Sequence, residues 1–368
     1  MQINVLNPVF QTQLFAAILI LGLILTSRRF SSPSIFSNSL TEELKGFAIL
    51  TIIFGHIGYF LSSGSQFLFP LSILSGVGVN LFLFLSGLGL TLSQLHRPTS
   101  ILSFYKKRAL KLFLPLWIVI TLLIILDYFF THQSYSWQTM LSAYLGWYPE
   151  ANLYINLDSP LWYFSFLLFY YLVFPWAFLL KKNLLPPLII LLFSYFYLKL
   201  PLPVTPDILK LYLLHTLAFP LGMVLGIIIH LGYLDNLRGY LQKLPLVNFV
   251  RALTILFLSI IAAYTAYHSE VGKGLREEQL ISLLTTSVLV LLFMLKNIKF
   301  RLLNLFGKYS YEIYLLHWPL MYRFDVLYKN LPPFLATALY LGFFILLGML
   351  LHRSSDLIFR GTKKLLIT

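Results

Sequence analysis

The chain has 368 residues, of which 58% are hydrophobic and only 11% charged, less than half the roughly 25% charged content usual for a soluble domain. This excludes an ordinary soluble domain, and equally a disordered chain, which needs low hydrophobicity and high charge density. The absence of cysteine excludes disulfides, thiolate metal ligands and cysteine nucleophiles, while a net charge of +14 raises a nucleic-acid partner that the positions of the charges then remove.

A membrane crossing takes about 20 mostly apolar residues for a hydrocarbon core of roughly 30 Å. Eleven runs approach this length, at 10–27, 44–61, 71–93, 112–130, 161–180, 184–198, 208–231, 249–267, 279–295, 305–323 and 332–351. The expected fold is therefore an all-α polytopic membrane bundle of about 11 transmembrane helices. No positive charge precedes Phe10, unlike a secretory signal, so the first run reads as a retained anchor. The run at 184–198 is short and ends in PLPVTPD at 201–207, which suits a tilted or partly re-entrant helix as well as a plain one.

Lys and Arg alternate between poor and rich segments. Arg28, Arg29 and Lys45 follow the first run, five bases lie at 94–111, Lys181 and Lys182 follow the fifth run, and 131–160 has no Lys or Arg. Summed by side, 21 bases fall on one face and 6 on the other, which puts the N-terminus outside and the C-terminus in the cytoplasm. The excess positive charge is then a fringe facing the anionic headgroups of the bilayer, and no nucleic acid is expected. The longest polar stretch, 131–160, is rich in Tyr, Trp and Asn, so any chemistry belongs to the membrane helices and their loops.

An ionisable residue inside a membrane is costly unless it has a partner or faces a cavity. His56 is the clearest case, eleven positions after Lys45 in an apolar run. Eleven steps of about 100° amount to three turns plus about 20°, so Lys45 and His56 share a helix face about 16 Å apart along the axis. A cation at one surface aligned with an imidazole near mid-membrane suits a directed reaction; a snorkelling Lys and a His bonded to a neighbouring helix satisfy the same spacing. In the next run Asn80, Ser86 and Gly87 suit either close helix packing or a wall against the His56 helix. Lys106, Lys107, Arg108 and Lys111 then form a basic cluster that serves topology or grips phosphate. In the outer loop and just beyond it, Trp147, Tyr148, Asn152, Trp162 and Tyr163 suit an interfacial aromatic belt or a sugar platform.

Towards the C-terminus, Glu312 is expensive if buried and calls for a cation. His317, in His317-Trp318-Pro319, reads as an interfacial anchor beside a kink, and five positions put it about 140° from Glu312, so the two form no dyad. Asp127 and His230 fall near helix ends, where interfacial water is the default. The eight histidines are scattered singly without metal-ligand spacing, so no metal is expected; phosphate-loop, nucleophile-elbow and zinc-protease motifs are missing as well.

Taken in order, these segments resemble the acyltransferase 3 family, multi-spanning enzymes that O-acylate carbohydrates. The resemblance rests on Lys45 and His56 in ELKGFAILTIIFGHIGYF, on Gly78-Val79 through Phe82 to Ser86-Gly87, and on the aromatic-basic stretch from Phe104 to Pro115. Leu161-Trp162-Tyr163 and the closing run from Ser310 through His317 to Pro319 complete it. It covers roughly residues 40–350 and divides the chain into an extra N-terminal helix and linker (1–39), a ten-helix core (40–352) and a basic tail (353–368). Two departures stand out: Leu167 occupies a place where family members have Glu, so no catalytic Glu is assigned there, and Lys45 stands where Arg is common.

The resemblance implies a plasma-membrane enzyme that binds no resident cofactor and uses acyl-CoA, acetyl-CoA foremost, as donor. The acyl group would pass to a hydroxyl of an extracytoplasmic or lipid-linked carbohydrate. Lys106, Lys107, Arg108 and Lys111 would hold the donor's phosphates, and His56, with Lys45, would act as general base or acyl carrier. Trp147, Tyr148, Asn152, Trp162 and Tyr163 would meet the acceptor, with Asn80, Ser86, Gly87, Glu312 and His317 in support. A transporter or flippase for a lipid-linked glycan is the alternative; it gives the Lys45–His56 spacing no purpose.

Overall fold

A computed structural model describes residues 2–29, 36–64, 66–150, 152–154, 157, 160–180, 184–241, 246–269 and 274–365. The linker residues 30–35, Lys181, Lys182 and the last three residues of the tail lie outside them. The chain runs as α1 (Pro8–Leu25), β1 (Ser27–Arg29), α2 (Asn38–Gly55), α3 (Ser75–His96), α4 (Ile101–Leu126), α5 (Trp137–Leu145), α6 (Trp162–Ala177), α7 (Leu185–Tyr197), α8 (Pro206–His215) and α9 (Ala218–His230). It continues through α10 (Tyr233–Leu241), α11 (Val247–Tyr267), α12 (Leu275–Leu295), β2 (Ile298–Phe300), α13 (Arg301–Lys308), α14 (Ser310–Tyr322) and α15 (Pro333–Leu365).

The all-α polytopic architecture is present. Among the described residues eight helical stretches are long and apolar enough to cross a membrane. Three of the eleven runs are shorter than a full crossing: α6 and α7 are brief apolar helices, and the run at 305–323 is divided between α13 and α14. The run at 208–231 is one membrane-length stretch made of α8 and α9.

Helix starts follow local chemistry. The hydroxyls of Ser37, Ser100 and Ser136 accept the backbone N–H of Leu40, Ser103 and Thr139 and so cap α2, α4 and α5. Prolines open α1, α7 and α8, where a missing N–H costs no helical bond.

The centre of the bundle is the stretch Asn38–Leu61, 72% buried, while α1 and α11 are each only 11% buried and present apolar surface outward. Around α2 the backbones approach closely. A side chain at Gly46 would fall 1.8 Å from the Leu303 carbonyl oxygen on α13, and one at Gly222 would fall 2.0 Å from that of Phe84 on α3. Only glycine admits such approaches. Gly87 belongs to the same α3–α9 contact, its missing Cβ leaving room for the Phe219 carbonyl.

Contacts between loops agree with the alternation of sides. β1 and β2 pair antiparallel, Ser27 opposite Phe300, which joins two segments assigned to one side. On the other side, Ile3 donates to the Leu61 carbonyl (2.7 Å), and Tyr154 donates to that of Phe60 (2.6 Å).

Asp127 is fully buried and ion-paired with Arg323, and its carboxylate accepts from the Tyr135 hydroxyl at 2.7 Å. The expectation of interfacial water at Asp127 is thus corrected: Arg323 at the end of α14 supplies the charge that solvent would have supplied. Arg323 also donates to the Leu157 carbonyl and so ties the outer loop to the bundle.

Candidate active site

α2 does not end at Gly55 but continues as a π-helical turn, His56–Leu61. A wider turn at the end of a buried helix re-aims side chains and recurs at functional sites. The His56 ring lies against that of His317 on α14, 5.0 Å between centroids and 7° from parallel, with His56 Nδ1 and His317 Nε2 at 2.8 Å. His317 is wholly buried and His56 partly so. Phe60 and Trp318 meet the His56 ring edge-on at 6.1 and 5.5 Å.

The tautomers follow from the partners. His317 Nδ1 faces two groups that can only accept, the carbonyls of Tyr314 (2.9 Å) and Ile313 (3.1 Å), so Nδ1 carries the hydrogen. His317 Nε2 then has the lone pair, and His56 Nδ1–H must donate to it. This leaves the lone pair of His56 on Nε2, the nitrogen not used by the pair, available to take a proton or attack a carbon.

From the opposite, basic end a cavity of about 700 Å³ enters the bundle. Its wall includes Lys45, Lys107, Arg108, Lys111, Lys308 and His352 together with Phe82, Leu167, Tyr163 and Tyr314. Tyr163 lies between Phe82 (6.2 Å) and Tyr314 (5.7 Å), and Tyr314 in turn touches the His317 ring at 6.3 Å. Tyr314 therefore both lines the cavity and touches the histidine pair. Among the described residues no carboxylate lies within ion-pairing distance of Lys45, Lys107, Arg108 or Lys111. Glu312 also lines the cavity but pairs with His352 at 2.7 Å. Asp356, the other carboxylate on the wall, also contacts His352 (3.7 Å), and a cavity with this excess of bases suits an anionic ligand with a long arm.

A family profile described as an acyltransferase domain matches residues 43–353. The chain belongs to the acyltransferase 3 family. No curated protein and no solved structure matches it. For a membrane acyltransferase the two features have complementary uses: a nitrogen base deep in the bundle and a cationic entrance at one end.

Of the residues singled out in the sequence, Lys45, Lys107, Arg108, Lys111, Ser86 and Tyr163 line the cavity, while Lys106 is exposed and does not. Asn80 lies elsewhere: its side chain accepts from His215 Nδ1 (2.8 Å) and donates to the Ser282 hydroxyl (3.0 Å). Trp162 stacks on His215 at 5.9 Å, inside the bundle. Tyr148 is 2% exposed, with its hydroxyl donated to the Ala143 carbonyl, so it packs the outer loop from within. Trp147 is half-buried, and exposed Asn152 accepts from the Tyr154 backbone N–H.

Two readings are corrected. The histidines are not all single, because folding joins His56 to His317 across 261 positions. Nor is His317 an interfacial anchor, since it is fully buried and bonded at both ring nitrogens. Glu312 and His317, on different faces of α14, take different partners, His352 and His56.

Sequence reasoning missed Lys308 and His352 on the cavity and the aromatic cluster beside His56. Tyr154 joins Trp318 (6.1 Å) and Tyr322 (5.2 Å), and the Trp318 indole donates to the Leu153 carbonyl. The available signal was the aromatic density of both segments, Tyr154 in one and Trp318 to Tyr322 in the other.

Proposed function

We propose that this acyltransferase moves an acyl group, acetyl foremost, from cytoplasmic acyl-CoA to a hydroxyl of an extracytoplasmic or lipid-linked carbohydrate. The basic end of the bundle is then cytoplasmic, the N-terminus outside, and the host the plasma membrane. The observation that carries this reading is the histidine pair, whose hydrogen bonds leave His56 Nε2 with a lone pair.

The donor's phosphates are held by Lys45, Lys107, Arg108 and Lys111, and its thioester passes Tyr163 and Tyr314 towards His56. In the general-base route Nε2 takes the acceptor hydroxyl's proton while the oxygen bonds to the thioester carbonyl carbon. The C–S bond then breaks, and the proton leaves with the thiolate as the free thiol. In the covalent route Nε2 itself attacks that carbon and the C–S bond breaks to release the thiolate; the acceptor hydroxyl then displaces the imidazole and its proton passes to the thiolate, giving the free thiol. Either way His56 gains positive character, and His317 Nε2 is placed to accept from Nδ1–H at that moment. The exposed aromatics Tyr154 and Phe60, beside buried Trp318, offer the acceptor a stacking surface near His56.

The test is transfer of radiolabelled acetyl from acetyl-CoA to endogenous glycan in membrane vesicles, with donor supplied at the cytoplasmic face. Wild type is expected to label glycan and His56→Ala to label none at equal abundance. Full labelling by His56→Ala would overturn the assignment.

A further inference from the structure

Beside the long cavity lies a second space of about 240 Å³, walled by Leu90, Ser93, Gln94, Thr99, Phe104 and three bases, Lys107, Arg108 and Lys111. Those bases line the long cavity too, so the two spaces share one cationic wall. The second is smaller than the roughly 300–1,000 Å³ of pockets that hold a whole drug-sized ligand. It suits the compact head of a molecule whose arm lies in the long cavity and whose anionic centre sits on the wall between.

The annex is preformed. Gln94, near the end of α3, clasps the turn into α4: its Oε1 accepts from the Thr99 backbone N–H (3.3 Å) and hydroxyl (3.1 Å), and its Nε2 donates to the Thr99 carbonyl (3.3 Å). Nε2 has a second hydrogen, which suits a ring nitrogen of a heterocycle. Arg108 is fixed over two rings, 5.7 Å from the Phe104 centroid and 5.8 Å from that of Tyr171, and Phe104 is backed by Phe174 at 5.6 Å. The Phe104 and Tyr171 rings stand 68° apart and hold the guanidinium from two sides, and a guanidinium is a group on which a planar ring can stack. A planar polar head, a phosphate wall and an extended arm together describe a nucleotide-bearing thioester.

We propose that the annex between α3 and α4 holds the nucleoside of the acyl-CoA donor, with its base stacked on Arg108 and bonded to Gln94. The three shared bases hold the phosphates, and the arm enters the long cavity. This assignment rests on the acyl-CoA reading above. An anionic lipid headgroup is the rival occupant of a basic annex.

Ser93 is exposed at the rim of the annex, so Ser93→Trp fills it without disturbing a buried contact. The assay compares KM and kcat for two donors, acetyl-CoA and S-acetyl-4′-phosphopantetheine, which has the arm and one phosphate but no nucleoside. Ser93→Trp is expected to raise KM for acetyl-CoA at least tenfold with kcat unchanged and to leave KM for the truncated donor as in wild type. A KM for acetyl-CoA within twofold of wild type in Ser93→Trp overturns the assignment and returns the annex to a lipid headgroup. An equal rise for both donors also overturns it, because the damage would then lie in the shared wall or the arm's cavity. Failure of wild type with both donors refutes the acyl-CoA reading itself, a result separable from either of these.

Discussion

His317 makes no contact with substrate in the proposed mechanism and acts through His56. Replacing it with Leu removes the acceptor 2.8 Å from His56 Nδ1 while filling most of the space of a wholly buried ring. When His56 carries positive charge this bond is charge-assisted, worth about 1.5–3 kcal/mol. At about 1.4 kcal/mol per decade, kcat should fall about 10- to 150-fold with KM for the donor unchanged. His317→Gln, whose Oε1 can stand where Nε2 stood and accept the same hydrogen, should recover most of the loss; a role limited to filling space would favour Leu over Gln. Initial rates of label transfer in vesicles, normalised to protein abundance, measure all three. In the His56→Ala background, His317→Leu should cost nothing further, because the two act as one unit. A His317→Leu enzyme within twofold of wild-type kcat, folded and abundant, would refute the reasoning.

His56→Ala itself removes the base and should lower kcat by at least the 10² to 10⁴-fold typical of general-base catalysis, read by the same label transfer. Lys111→Gln and Lys45→Met each remove a cavity cation and should raise KM for acyl-CoA about tenfold while weakening its dependence on salt; an unchanged salt dependence would remove that residue from the phosphate site. Arg323→Leu strands the buried Asp127 carboxylate and should cost about 3–5 kcal/mol, seen as a lower melting temperature in detergent that Asp127→Asn partly restores. Gly222→Leu drives a side chain into the Phe84 carbonyl on a neighbouring backbone and should prevent accumulation, whereas Gly342→Ala, with nothing within 4 Å of its added Cβ, should accumulate as wild type.

The bundle was legible because hydrophobic run length and the alternation of Lys and Arg are dictated by the membrane itself. Lys45 and His56 could be set on one face because both lie on one helix, where periodicity fixes their relative direction; the structure puts Lys45 on the cavity wall and His56 against His317. His317 was not, because its partner lies 261 positions away and a single His beside Trp and Pro looks the same at an interface as in a core. The aromatic residues expected to meet an acceptor suffered from the same ambiguity. Trp162 and Tyr148 look like sugar contacts by composition, yet one packs on His215 and the other inside the outer loop, while Tyr154 is the exposed ring near His56. Run length does not show where a helix breaks: α6 and α7 are shorter than their apolar runs, and Tyr309 divides the run at 305–323 between α13 and α14.

The dyad of the proposed mechanism pairs two imidazoles, where many enzymes pair an imidazole with a carboxylate, and contains no fixed ion. Each elementary charge that crosses the membrane field exchanges about 2.3 kcal/mol per 100 mV, so a buried Asp–His couple would place a standing charge in that field. The resting His56–His317 couple presents only dipoles to it. In that mechanism membrane potential acts on this centre only during the brief interval in which His56 is cationic, and the energised and de-energised membrane should leave the resting site equally poised.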